Sequence, residues 1–194
     1  MSRAENINAI VWHCSAGFSG IKSIEAFWRR AKHLGGAGWK HKGYHTITEL
    51  DGTTWYLKDN SAVNGYSLDP EDLNLEYITN GVGGYNSKLI NNCLIGGVDS
   101  EDYSKAVDTR TPEQKGAIHK VTQLQIKWLA DNGKDVTKNL GFYGHREYSK
   151  DSNGNGAIEP WERIKECPSW NVITSEYHYL YSSKDRYGKL PYIK

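Results

Sequence analysis

The chain has 194 residues, enough for one domain with a core of its own, and its 24 Lys+Arg against 23 Asp+Glu leave a formal net charge of +1. That balance excludes a strongly basic nucleic-acid binder or a charged tail, and three cysteines are too few and too odd in number for a disulfide scaffold. The opening M-S-R-A-E-N-I-N-A-I-V-W lacks a long apolar core and an A-x-A cleavage pattern, so neither a secretory signal nor a membrane span is read there.

In chain order, the apolar, β-prone run 7–14 (I-N-A-I-V-W-H-C) predicts a buried strand. Ile21, Ile24, Phe27, Trp28, Ala31 and Leu34 then recur at helical spacing, with Gly35 as the stop. Two β-prone runs, 44–50 and 53–57, flank Asp51-Gly52. This predicts a hairpin, because Gly tolerates the positive φ of a tight turn. Residues 64–86 are rich in Gly, Asn, Asp and Pro and read as a long surface loop that covers a site. A further apolar strand at 89–95 ends at Gly96-Gly97. T-P-E-Q opens a helix with Thr111 as N-cap, Pro112 at the first position and Gln114 completing a capping box. Its inner stripe is Ile118, Val121, Leu124, Trp128 and Leu129. Residues 139–144 form a short last strand. Strands alternating with helices, plus a hairpin, predict an α/β single domain with a mixed central sheet flanked by helices.

Candidate chemistry gathers at strand ends. His13 closes the first strand and His145 the last, and open α/β sheets build sites outside the carboxyl ends of their strands. Cys167 follows in C-P-S-W. Two imidazoles and a thiolate are a three-ligand zinc set with the fourth tetrahedral position open, as a hydrolytic zinc requires. From spacing alone, a structural or surface role for each histidine and a buried inert thiol is the favoured reading. Cys14 is expected on the face opposite His13 and, with Cys93, is read as a buried small apolar residue.

A second pattern lies between these ligands. Residues 151–162, D-S-N-G-N-G-A-I-E-P-W-E, fit the calcium-loop motif D-x-[DN]-x-[DN]-G-x5-E. Asp151, Asn153, Asn155, the carbonyl of Ala157 and Glu162 are the candidate calcium ligands, with Glu159 acting through water. A bound calcium ion would be structural, bracing the segment between His145 and Cys167. The other reading is a plain Asn/Gly turn.

Seven motifs in order carry a resemblance: V-W-H-C-S-A at 11–16, G-Y-H-T-I at 43–47, D-G-T at 51–53, C-L-I-G-G at 93–97, T-P-E-Q at 111–114, G-H-R at 144–146 and K-E-C-P-S-W at 165–170. Together they resemble the zinc-dependent type-2 N-acetylmuramoyl-L-alanine amidases, which share a fold with peptidoglycan recognition proteins and with a phage lysozyme that is an amidase. The resemblance spans about 7–170, and we take 1–194 as one amidase domain with a tyrosine-rich segment, 171–194, that packs on it. It implies zinc on His13, His145 and Cys167, and catalysis by Tyr44 and Lys165 beside the metal. It also implies a peptidoglycan or muropeptide substrate cut between N-acetylmuramic acid and L-alanine, as by a phage endolysin or a bacterial autolysin. Chemistry agrees with these roles. The Lys165 ammonium can stabilise a tetrahedral oxyanion, and Tyr44, with an ordinary pKa of about 10, suits positioning or donation better than proton abstraction. The rivals are a non-catalytic peptidoglycan-binding module and a zinc peptidase cutting within the stem peptide. We expect no nucleic-acid or membrane partner, and a monomer. One departure stands out: the family often carries a histidine shortly before G-Y-N, where this chain has Gly81.

Overall fold

In a computed structural model, which describes residues 2–61, 65–156, 158–163 and 165–182, the apolar run near the N-terminus forms β1 (Ala9–Cys14) deep inside a six-stranded sheet. The remaining strands are β2 (Thr46–Thr48), β3 (Thr54–Leu57), β4 (Tyr66–Ser67), β5 (Leu89–Leu94) and β6 (Gly141–Gly144). Their spatial order is β4-β3-β2-β5-β1-β6. β1 runs parallel to β5 and β6, and β2 parallel to β5, whereas β2-β3 and β3-β4 are antiparallel. The sheet is mixed, as the sequence implied, because one hairpin is appended to a parallel core. The hairpin turn is Asp51-Gly52, with Gly52 at φ 84°.

Alternation along β1 divides its side chains. Ile10 and Trp12 join Ile90, Leu94 and Phe142 under helix α3 (Pro112–Asp131), which presents Ile118, Val121 and Leu129. Ala9 and Val11 face the other side with Val82, Leu89 and Tyr143. His13 continues this second face, so alternation alone directs it away from α3. The start of α3 is as expected: Thr111 Oγ1 accepts the Gln114 amide, and the Gln114 side chain accepts the Thr111 amide.

Three expectations about the elements are corrected. The first long helix, α2 (Ile21–Arg29), ends five residues before Leu34; residues Lys32–Leu34 make a separate 3-10 turn. The returning chain stops it, because the amides of Ala37, Gly38 and Trp39 bond the carbonyls of Phe27, Arg30 and Trp28. Its apolar stripe is therefore not all core: Trp28 is buried, but Phe27 is 48% exposed and Leu34 63%. The stretch read as a surface loop is packed into the molecule, with Leu73, Leu75, Thr79 and Val82 buried. Of that stretch, Asn64 lies outside the described residues. Beyond the sheet, helix α4 (Glu176–Tyr181) packs Tyr177 and Tyr181 against Phe142, with ring centroids 6.1 and 5.8 Å apart. Tyr187 and Tyr192 of the tyrosine-rich segment lie outside the described residues. A four-residue helix, α1 (Arg3–Asn6), precedes β1. Among the described residues no helix is long and apolar enough to cross a membrane.

Candidate metal centre

Pairing Trp12 with Gly144 across the parallel strands β1 and β6 puts the next residue of each, His13 and His145, side by side at the carboxyl ends. Their ring centroids are 4.7 Å apart. Cys167 arrives on the segment after a 3-10 turn at Pro160–Glu162, and its Sγ accepts the Cys14 amide at 3.3 Å. That sulfur lies 3.9 Å from His13 Nδ1. The ligand atoms of His13, His145 and Cys167 all lie within 4.8 Å of one another, the one such group of His, Cys, Asp and Glu among the described residues. A tetrahedral zinc with bonds of about 2.0–2.3 Å separates its ligand atoms by about 3.3–3.8 Å, so the donor set fits one ion with little movement.

The electrostatics fit as well. Burial, the neighbouring His145 and the Lys165 charge hold His13 well below its ordinary range, and burial with Lys165 lowers His145 to about 4. Both rings are therefore neutral ligands at neutral pH. The Cys167 thiol moves the other way, well above its ordinary range, because Cys14 hydrogen-bonds it and burial disfavours a thiolate. A cation is what would draw that proton off.

Tyr44 packs its ring 5.0 Å from that of His13 and 5.6 Å from Trp28. The Tyr66 hydroxyl holds its backbone by donating to the Tyr44 carbonyl at 2.5 Å. Burial, and the thiols around it, push the Tyr44 phenol well above its ordinary range, so it is a donor and not a base. Lys165 lines the same cleft as Tyr44, His145 and Cys167. The cleft has a volume of about 1300 Å³, with Ser15, Phe27, Trp39, Asn80, Tyr103 and Tyr148 among its walls. The structure thus gathers all five residues expected at the zinc site.

Comparison with known proteins adds a second line. No protein-family model matches the chain. The endolysin of Enterobacteria phage K11 is 31% identical over 113 residues, which is 56% of this chain and 60% of the endolysin. The match thus leaves about two fifths of that relative uncovered. An uncharacterized protein of Haemophilus influenzae is 32% identical over 91 residues, 47% of this chain and 70% of that protein. In fold, the chain is similar to the peptidoglycan recognition proteins in the crystal structure of tracheal cytotoxin bound to the LCa and LCx ectodomains. The TM-score there is 0.52 at 18% identity, covering 89% of this chain and 84% of that one. The chain thus has the fold of the peptidoglycan recognition proteins and is similar in sequence to phage endolysins.

Two features of the site were not foreseen. The first is Arg146. Its backbone amide bonds the Cys167 carbonyl at 2.8 Å, and its guanidinium bridges Glu147 at 2.9 Å and Glu166 at 3.3 Å. Glu147 in turn accepts the Gly144 amide at 2.7 Å. Ser169 Oγ donates to the Gly97 carbonyl at 2.6 Å, and Arg110 stacks on the Trp170 ring at 3.8 Å, anchoring the far side of Cys167. Protein groups thus brace the segment that carries Cys167. The second is Asn91, whose Oδ1 lies 3.0 Å from His13 Nε2. The one sequence signal for it was a pair of asparagines inside an apolar strand, L-I-N-N-C-L.

The 151–162 stretch folds as a turn closed on itself. Asp151 accepts the Gly154 and Gly156 amides at 2.7 and 2.9 Å. Glu162 accepts those of Ser152 and Asn153 at 2.6 and 3.2 Å. Asn153 and Asn155 turn their amide nitrogens to Glu159 at 3.0 and 2.6 Å. These bonds are what the plain-turn reading requires, and Ala157 lies outside the described residues. Cys14 corrects its expectation. β1 ends there, and the side chain is half-buried in the cleft wall, 3.5 Å from Ser169 Oγ, instead of sealed in the core. Cys93 is fully buried, as expected.

Proposed function

We propose that this chain is a zinc-dependent N-acetylmuramoyl-L-alanine amidase that hydrolyses the amide between N-acetylmuramic acid and L-alanine in peptidoglycan. The observation that carries the reading is the convergence of two imidazoles and one thiol at a wide cleft, which His145 and Cys167 line with an ammonium and a phenol and behind which His13 is buried. His13, His145 and Cys167 would hold the ion and leave a tetrahedral position free. When bound, zinc supplies Lewis acidity and lowers the pKa of water to about 7.

The chain's own groups carry the rest. Lys165 brings a positive charge to the cleft where a tetrahedral oxyanion develops, and in a partly desolvated site that charge acts far more strongly than in water. Tyr44 keeps its proton and donates a hydrogen bond to the same oxygen or orients the attacking water. The cleft walls offer aromatic faces and polar groups to a substrate that is half sugar and half peptide. The endolysin relatives support a role in degrading the bacterial wall. We take the peptidoglycan stem as the partner.

The test is digestion of purified sacculi and soluble muropeptides, with products identified by mass spectrometry. The expected products are glycan with free lactyl groups and stem peptides beginning with L-alanine. Cleavage inside the stem would replace this reading by a peptidase. Wall binding without any release would replace it by a recognition module.

A further inference from the structure

We infer that Asn91 is a positioning residue for the metal site: its side-chain amide, aligned by a buried relay through Thr79 and His45, fixes the tautomer of His13 so that Nδ1 is free to bind the ion. The inference rests on the zinc reading for its purpose, but the tautomer assignment stands on hydrogen bonds alone.

The relay can be read atom by atom. A backbone amide only donates, so the Asn91 N–H, 3.0 Å from His45 Nδ1, makes that nitrogen an acceptor. The His45 proton is then on Nε2, which faces the Tyr77 carbonyl at 3.0 Å. Thr79 Oγ1 lies 3.2 Å from the same Nδ1 and donates into it, leaving its own lone pairs for others. Asn91 Nδ2 supplies a donor to Thr79 Oγ1 at 3.0 Å. It also approaches Asn86 Oδ1 at 3.4 Å, an atom marked as oxygen because it accepts the Val82 amide at 2.7 Å. Both neighbours on that side are acceptors, which settles the orientation of the Asn91 amide. Its Oδ1 therefore faces His13 Nε2, and a carbonyl oxygen only accepts. His13 must carry its proton on Nε2. The lone pair is then on Nδ1, the nitrogen 3.9 Å from Cys167 Sγ.

Placement on the sheet makes this possible. Asn91 pairs with Val11 on the adjacent strand, so its side chain shares the face of β1 that His13 occupies. It is fully buried in a strand of otherwise mostly apolar residues, where an amide is costly unless satisfied. The space it fills is opened by Gly81. A Cβ at that position would lie 2.4 Å from Asn91 Cγ and 2.5 Å from Oδ1. A side chain at 81 and the Asn91 amide cannot occupy this space together.

Two measurements test the inference. Long-range ¹H–¹⁵N correlation spectra of the metal-free wild-type protein at about pH 8, above ordinary histidine titration, report the tautomer directly. The expected pattern for His13 is a single neutral tautomer protonated at Nε2. Protonation at Nδ1 would overturn the proposal whatever the variants do. Zinc affinity is then measured by competition with a fluorescent chelator. Asn91→Leu, and Gly81→Ala, which displaces the amide, should weaken binding about 10–100-fold, while Asn91→Asp, which keeps an acceptor, should stay within about threefold of wild type. In Asn91→Leu the single His13 tautomer should be lost. Wild-type affinity in a folded Asn91→Leu would overturn the proposal. If Asn91→Leu does not fold, Gly81→Ala and the wild-type tautomer decide. If the wild-type protein binds no zinc, the metal reading fails, and the wild-type spectrum still decides the tautomer.

Discussion

Replacing Arg146 by methionine keeps the stem volume and removes the charge that ties the G-H-R-E turn to the Cys167 segment. Arg146 and Glu147 are both nearly sealed, with side chains 7% and 5% exposed, and their contact is 2.9 Å. Breaking such a pair leaves a buried carboxylate without its counter-ion, at a cost of about 3–5 kcal/mol. The second contact reaches Glu166, which is 41% exposed, so solvent screening limits it to about 1 kcal/mol or less. Burial already pushes the Glu147 carboxyl above its ordinary range even with Arg146 beside it. Without the guanidinium it should rise further. A folded-state carboxyl raised above its unfolded value disfavours folding once pH passes the unfolded value. The deficit should therefore be largest at neutral pH and shrink as pH falls toward the carboxylate range. Urea unfolding at pH 7 and at pH 5 measures this, with Arg146→Met/Glu147→Gln as the control that removes the orphaned charge. We expect a loss of about 3–5 kcal/mol at pH 7, smaller at pH 5, and largely restored in the double variant. A loss below about 1 kcal/mol at pH 7 would show that the clamp does not hold the site together.

Other predictions separate chemistry from scaffold. Lys165→Met and Tyr44→Phe should each lower turnover about 10²–10³-fold while zinc affinity stays near wild type; parallel loss of zinc would reassign them as structural. His45 is held neutral down to about 3 from an ordinary 6.5, chiefly by burial. The unfolded chain takes that proton first, so His45 costs no stability above about pH 6.5. Below it, His45 by itself should remove about 1.4 kcal/mol per pH unit, or about 2 kcal/mol at pH 5, until the folded ring also protonates, on top of the share taken by the lowered His13 and His145. Unfolding free energies of His45→Gln should fall less steeply by this amount; an unchanged slope would assign the acid sensitivity to other groups. Thr111→Val removes both the cap on Gln114 and the bond to the Leu50 carbonyl, and should cost about 1–2 kcal/mol in thermal unfolding. No measurable change would mean that Pro112 alone starts the helix.

What the sequence disclosed was local. The capping box at 111–114, the Asp51-Gly52 turn and the apolar strands read at 7–14 and 89–95 are written in residue types that have few other uses; the box and turn formed as read, and the strands formed over 9–14 and 89–94. The His-His-Cys group was legible through ordered motifs, since no spacing rule links residues 13, 145 and 167. What joins 13 and 145 is the parallel pairing of β1 with β6, a property of the sheet, and the Cys14 and Arg146 amides hold Cys167 beside them. The end of α2 was misread because a returning segment, not a cap residue, takes its carbonyls. The stretch before β5 looked polar and exposed, yet its Leu73 and Leu75 join the core and its Thr79 and Asn86 serve the Asn91 amide. Cys14 followed alternation on paper, but the strand ends at that residue and its side chain joins the cleft wall. Arg146 and Asn91 escaped notice because each acts on the site through the fold: a lone Arg carries no pattern, and the Asn91-Asn92 pair does not name its partners.

The most direct test is the zinc-edge X-ray absorption spectrum of the zinc-loaded protein. The expected first shell is two imidazole nitrogens at about 2.0–2.1 Å, one sulfur at about 2.3 Å and one further light atom. A shell with no sulfur would remove Cys167 from the site. A shell with two would bring in Cys14 and close the position that hydrolysis needs; either result would contradict the account.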